Sequence, residues 1–434
     1  MLNLHTFLCQ ISWWLRRFLL LCFALSLICL GGCQENPAKD NVIHLTLWHG
    51  INPPPNRDVF NQLVAKFNQS HTNIELEALY IGQPDGQLPK ILTAVVGNVA
   101  PDLLWFTPQL TGQLVELQAI VPLEEWLNNS PLKKDIYPVM FESMELDNHL
   151  WSIPMATNNT AVFYRPSLLA QAGITELPKT WEQLRVVANK LTQDTNGDGR
   201  TDQYGLFLSL GKGEWTVFVW LPFIYGAGGD IVADNQPDLV NQGAISALQF
   251  GANLVEDGVA LLSAPERGYE IDSFIQGQAA MQITGPWTLA QLQSTGVDYG
   301  VFPIPQQERK AAVVGGENLF VFKTNYQKEQ AALEFLEYVL GEEFQTAWAL
   351  ETGYLPINRQ VQVSEEYQEF VRQNPVLEVF LQQMQWARSR PILPGYSRLS
   401  ENLGRAIEAS LLGKKSPQQA LEASQKRLEL FFGS

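Results

Sequence analysis

Cysteine is nearly absent: the chain of 434 residues has four, Cys9, Cys22, Cys29 and Cys33, and none beyond position 33. That excludes a disulfide scaffold, a cysteine zinc site, an iron–sulfur cluster and a cysteine nucleophile from residues 34–434. Histidine is scarce as well, and His44, His49, His71 and His149 are too scattered to form a metal-binding cluster. Positive charge is in short supply, with 29 Lys and Arg against 45 Asp and Glu and a net charge of −16. A nucleic-acid binder needs cations to neutralise phosphates, so no nucleic-acid partner is expected. The sequence also lacks the G-x-S-x-G, H-E-x-x-H and G-x-x-x-x-G-K-[ST] patterns that mark common catalytic sites. Acidic pairs such as Glu124-Glu125 and Glu342-Glu343 lie in amphipathic surroundings and read as solvated faces.

What is present is an ordinary globular composition, 46% hydrophobic and 17% charged, in a chain long enough for two or three domains. At the N-terminus Arg16-Arg17 precedes an apolar run at 18–30 (FLLLCFALSLICL). The run is shorter than the roughly 20 residues of a membrane span and suits the apolar region of a signal peptide. Leu30-Gly31-Gly32-Cys33 follows and resembles the lipobox of bacterial lipoproteins. The resemblance implies a signal peptide at 1–32, a lipid on Cys33, and a polar tether at 33–41. It further implies an exported lipoprotein held by its lipid on the periplasmic or cell-surface side of a membrane. Residues 1–32 carry two arginines and no acid, so their removal leaves the body more negative still.

In the body, strand and helix alternate. A strand at 44–48 ends in His49-Gly50, and a helix over 57–67 has Val59, Phe60, Leu63, Val64 and Phe67 on one face. A strand at 74–80, a helix at 88–96 and a strand at 102–106 follow. Thr180 and Gln183 have capping-box spacing before an apolar stripe of Trp181, Leu184, Val187, Ala188 and Leu191. One long helix is expected over 329–350, and a last helix begins at Ser416-Pro417 with Gln419 at capping distance. The alternation predicts a parallel α/β sheet, with ligand sites beyond the strand ends at His49, 81–83 and 107–109.

Several ordered segments carry a family resemblance: LTLWHG at 45–50, APDLLWFTP at 100–108, HLWSIPMATNNTAVFYRPSLLAQAGI at 149–174, PKTWEQL at 178–184, QGQAAMQITGPWTLAQL at 276–292, GGENLFVFK at 315–323 and ETGYLPINR at 351–359. Together they resemble the extracellular solute-binding proteins of ABC transporters, in the maltose-binding-protein-like group of carbohydrate binders. The resemblance implies an α/β fold, the two-lobed periplasmic-binding-protein architecture of type II with a hinge. Lobe 1 would comprise 42–153 with 300–353, and lobe 2 would comprise 154–299 with 354–434. Crossings are expected near 154–157, 299–302 and 353–356. It also implies a monomer that captures a small carbohydrate and delivers it to the permease subunits of an importer, with no catalysis and no required cofactor.

A pyranose ring offers an apolar face to aromatic side chains and a polar rim to planar hydrogen-bonding groups. On that logic and the family's loop positions, Trp287 is the expected stacking residue. His49, Gly316, Glu317, Tyr354, Thr107, Gln83 and Asn158 are expected around it. Trp215 and Trp220 lie beside a Gly-rich segment, Gly226–Asp230, and Trp220 is the one expected to reach the cleft; Trp48 is expected in the core. Glycerol-3-phosphate binders belong to the same family, and Arg388, Arg390 and Arg398 would be the candidates to hold a phosphate. A surface carbohydrate-active enzyme is the alternative from another class, and it would need a close carboxylate pair. Finally, Asp194, Asn196, Asp198 and Asp202 follow the spacing of an EF-hand loop, with Gly199 at the sixth position. Gly205 stands where a bidentate Glu belongs, so a structural Ca²⁺ here would need oxygens from elsewhere.

Overall fold

The computed structural model describes residues 42–432 apart from positions 83 and 266. The expected signal peptide at 1–32, the expected tether at 33–41 with Cys33, and Gln83 lie outside the described residues. Strand β1 (Ile43–His49) leads into the helix Pro54–Ser70, whose predicted apolar face is buried, and then into β2 (Ile74–Tyr80). After the helix Pro84–Val96 come β3 (Leu103–Phe106) and the short β4 (Ile153–Pro154). A second group follows: β5 (Ala161–Tyr164), β6 (Leu206–Leu208), β7 (Ala260–Leu262), β8 (Met281–Thr284) and β9 (Gly300–Phe302). The chain then returns through β10 (Asn318–Val321).

These strands make two five-stranded sheets, ordered β2-β1-β3-β10-β4 and β7-β6-β8-β5-β9. Neither is all-parallel. β1 pairs parallel with β2 and β3, but β10 runs antiparallel to β3 and β4. In the second sheet β6 pairs parallel with β7 and β8, while β5 runs antiparallel to β8 and β9. A strand that arrives from the other lobe needs no crossover helix on its own sheet, so the rule that forces parallel pairing does not bind it.

Each sheet has its own core. Leu45, Leu47, Phe60, Phe67, Phe335 and Trp348 belong to the first, and Leu184, Leu206, Trp220, Phe223, Ile283 and Leu403 to the second. The predicted caps form. The Gln183 N–H donates to Thr180 Oγ1, and Gln183 returns its Oε1 to the Lys179 N–H. Ser416 and Gln419 exchange two bonds of 3.3 Å, a complete capping box. The expected helix over 329–350 is instead two, Tyr326–Leu340 and Glu342–Thr352. Gly341 between them adopts extended torsions (φ −67°, ψ 155°) and starts the second helix afresh.

The expected crossing at 299–302 is corrected. That segment is β9, paired with β5 in the second sheet, so the chain leaves the second lobe only after it. The passage lies near Gly315. There Asn158 and Gly315 exchange backbone bonds of 3.2 and 2.8 Å, and Thr157 and Leu355 exchange bonds of 3.0 and 2.9 Å. The three connecting segments thus run side by side as a hydrogen-bonded strap at 157–158, 315 and 355. Among the described residues no helix is long and apolar enough to cross a membrane.

Candidate functional site

A cleft of about 490 Å³ opens on this strap, a volume suited to a small-molecule ligand. Its first wall is Gly50–Pro53, the loop after β1, with Trp105 and Thr107 from the end of β3. Its second wall holds Glu214, Trp215 and Phe218 from the first turns of the helix Glu214–Gly226, with residues 269–272. The floor is made by the connections, with Asn158, Gly315, Gly316, Glu317 and Tyr354, together with Trp287 from the turn after β8 and Arg390.

Trp287 sits just after β8 and packs against the cores of both lobes. Its ring meets Trp215 edge-on at 5.7 Å between centroids and lies 6.3 Å from Tyr354. With Trp105, Phe218 and Tyr269 the cleft carries six aromatic side chains. Gly316 adopts φ +116°, and a Cβ there would lie 2.4 Å from the carbonyl oxygen of Ala156. Only glycine lets the segment press against 156–157 and turn Glu317 into the cleft.

The electrostatics are distinctive. Four carboxylates line the cleft, those of Glu214, Glu270, Asp272 and Glu317, against one cation, Arg390. That cation is committed: Arg390 Nη1 donates to Glu214 Oε1 at 2.5 Å, and its guanidinium lies 4.7 Å from the Phe218 centroid. Tyr396 and Ser400 donate their hydroxyls to the same Glu214 carboxylate. Burial pushes the Glu317 carboxyl up to about 7, with Arg390 opposing the shift. Its Oε2 and the Asn158 Oδ1 are buried acceptors with no hydrogen-bond partner among the described residues. Tyr354 stays a neutral phenol, because burial and the neighbouring Glu317 raise its pKa well above the usual value.

Six of the expected residues are therefore brought together: Trp287, Gly316, Glu317, Tyr354, Thr107 and Asn158. Two are not. His49 is buried in phase with Leu45 and Leu47, with its ring 5.1 Å from Phe60 and 5.8 Å from Tyr80. The cleft is lined instead by the loop that follows it. Trp48, expected in the core, lies on the opposite face of the strand, half-buried against the cluster of Ile91, Leu104 and Phe106 with Lys90 over its ring. Trp220 is the other correction. It is 1% exposed and packs in the second core, and Trp215 takes the cleft position. Of the arginines, Arg390 reaches the cleft, whereas Arg388 pairs with Asp230 and stacks on Tyr225, and Arg398 lies over Phe431. Sequence reasoning passed over Glu214, Phe218 and Tyr269.

The loop at 194–202 does not gather its acids for a metal. The Asp194 carboxylate accepts from the N–H groups of Gly197 and Gly199, and Asp202 accepts from Thr195 and Asn196. Asn196 and Asp198 each accept from the N–H two residues on. Among the described residues no three His, Cys, Asp or Glu side chains converge to hold a metal ion. The geometry is that of a turn tied to itself by Asx bonds, and it does not fit the calcium expectation.

Burial, with Arg57 adding to it, lowers the His49 pKa from 6.5 to about 4. The unfolded chain therefore binds a proton that the folded chain does not between those values, and stability falls as pH drops from about 6.5 to 4. Urea unfolding across that range is expected to show this slope, and His49→Phe is expected to flatten it.

Comparison with known proteins now adds to this geometry. A curated relative, the maltotriose-binding protein of Pyrococcus abyssi, is 24% identical over 398 residues, covering 89% of this chain and 81% of its own. The sn-glycerol-3-phosphate-binding periplasmic protein of Pectobacterium atrosepticum is 22% identical over 421 residues, covering 92% and 93%. Among solved structures, the cyclic alpha-maltosyl-1,6-maltose binding protein of Arthrobacter globiformis superposes with a TM-score of 0.75 at 24% identity, over 90% of this chain and 98% of that one. That likeness establishes the two-lobed fold. Residues 62–373 match the family model described as bacterial extracellular solute-binding protein. With most of the chain covered by that match, this protein belongs to the bacterial extracellular solute-binding protein family.

Proposed function

We propose that the chain captures a small neutral carbohydrate between its lobes and passes it to the permease of an ABC importer, held to the membrane by a lipid on Cys33. The observation that carries the reading is the cleft itself: six aromatic side chains around a floor whose one cation is neutralised by Glu214. Aromatic faces suit pyranose rings, and the acceptors on Glu317 and Asn158 suit their hydroxyls. The relative from Pyrococcus abyssi carries maltotriose in its name, which agrees with this.

A relative named for sn-glycerol-3-phosphate supports a second reading, uptake of a phosphorylated polyol. The charges oppose it. Arg390 is already paired with Glu214 and Glu270 with Arg267, so a phosphate would find no free cation among the lining residues and would face Asp272 and Glu317. Thermal unfolding of the full chain with maltose, maltotriose, trehalose, glucosylglycerol and sn-glycerol-3-phosphate separates the two. A true ligand at 100 times its Kd stabilises by about 2.7 kcal/mol. Stabilisation by a neutral sugar is expected, and stabilisation by the phosphate alone would replace this reading.

Glu317 gives the site a pH signature. Without ligand its raised pKa costs stability as pH climbs from the unfolded value of about 4.5 through about 7. A sugar hydroxyl donated to Oε2 favours the ionised form. Affinity is therefore expected to rise between pH 6 and 8, and Glu317→Gln is expected to bind with no such dependence.

A further inference from the structure

We propose that the base of the first lobe, the end of its sheet opposite the cleft, is a membrane contact surface that rests among lipid head groups and turns the cleft toward solution. The inference rests on the lipid at Cys33 proposed above and adds how the body sits once that lipid is inserted.

The first sheet has two distinct ends. β1, β2 and β3 run parallel and β10 runs against them, so the loops after β1 and β3 and the segment before β10 share the cleft end. The opposite end gathers the start of β1, the turn at 97–101 that enters β3, the turn at 117–119 and the segment 323–326 that leaves β10. Backbone bonds tie these pieces together. The Asp102 N–H donates to the Thr46 carbonyl at 3.0 Å, that of Phe322 to Asp102 at 3.0 Å, and that of Lys323 to Ala119 at 2.8 Å. Because β1 begins at Ile43, Cys33 is joined to the body at this end. The ten residue steps between them reach at most about 35 Å. The cleft end stands a further seven-residue strand away, about 23 Å.

The side chains at the base suit lipid. Among the described residues five large apolar side chains are at least 69% exposed, and three of them, Val96, Val99 and Tyr326, stand here. Leu117 on the adjoining turn is exposed as well. Residues 91–101 contain no charged side chain, so the two valines enter the head-group region without carrying an ion with them. Tyrosine favours that region, where its ring meets apolar matter and its hydroxyl stays wet. Charge at this end comes in both signs: Lys328 pairs with Asp102, His44 with Glu75, and Lys323 accompanies Glu116 and Glu329. The block of acid lies elsewhere. Glu342, Glu343, Glu351 and Glu366 line one surface groove past the far end of the helix Tyr326–Leu340, about 22 Å of helix from Tyr326. Anionic lipid repels that groove and so favours the same orientation.

The test uses the full chain, exported and reconstituted in vesicles of phosphatidylethanolamine and phosphatidylglycerol. On the lipoprotein reading no native thiol stays free, so Gln327→Cys at the base and Gln249→Cys on the second lobe can each carry a single fluorophore. Nitroxide-bearing head groups are expected to quench the label at 327 at least threefold more strongly than the label at 249. Val96→Ser, Val99→Ser and Tyr326→Ser together are expected to bring the two signals level while the thermal midpoint stays unchanged. Mass spectrometry of the N-terminal peptide reports the lipid separately. Equal quenching at 327 and 249 in protein that carries acyl chains on Cys33 would overturn the inference and leave the anchor standing. Absence of acyl chains would remove the anchor and the inference with it. Shielding of the label at 327 that grows with protein concentration in detergent alone would make a second copy the occupant and would also overturn the inference.

Discussion

Glu214→Gln is expected to destabilise the protein by about 3–5 kcal/mol, the loss that follows when one partner of a buried ion pair is removed. The Arg390 side chain is 5% exposed and Glu214 17%, so water cannot replace the missing charge. Glutamine preserves the shape and keeps one acceptor for Tyr396, while Ser400, which donates to the other carboxylate oxygen, must turn to accept from the amide, so the change removes the charge and one acceptor with little change in packing. Two further effects follow from the same change. Arg390 acts more strongly on Glu317, so the pH at which binding changes is expected to fall. An anion in the cleft also gains a cation to meet, so weak phosphate binding is expected to appear in the variant. Urea unfolding measures the first effect. Equal midpoints for variant and native protein would show that the pair contributes little.

Trp287→Ala is expected to cost about 1–3 kcal/mol of ligand binding, a loss of roughly 5- to 150-fold. The ring is edge-on to Trp215 and beside Tyr354, so it is fixed before ligand arrives and its face is offered without further ordering. Trp287 also packs on both cores, so alanine lowers stability as well. Trp287→Phe separates the two, because it keeps an aromatic face and most of the packing. A titration in which alanine and phenylalanine bind as the native protein does would remove Trp287 from the site.

The sequence made the elements legible where one face alone is buried. The helix Pro54–Ser70 and the helix Trp181–Leu191 bury the residues their spacing selects. The alternation Leu45, Leu47, His49 also carried the inward direction of His49, which the family position of the loop overrode. The choice between Trp215 and Trp220 had no such signal. Every residue from Thr216 to Gly226 is buried, so the helix shows no polar stripe, and only its first two turns reach the cleft. The second crossing was misplaced because β9 is short and apolar, and nothing local tells which sheet receives it. The Glu214–Arg390 pair lies 176 residues apart and is visible only once the fold brings the two together.

The measurement that bears most directly on the account is a calorimetric comparison of maltotriose and sn-glycerol-3-phosphate on the full chain at pH 7.5. A cleft of aromatic faces and committed charge predicts micromolar or tighter binding of the neutral sugar and none of the phosphate. Binding of the phosphate with no response to the sugar would contradict it and would require Arg390 to leave Glu214 for the ligand.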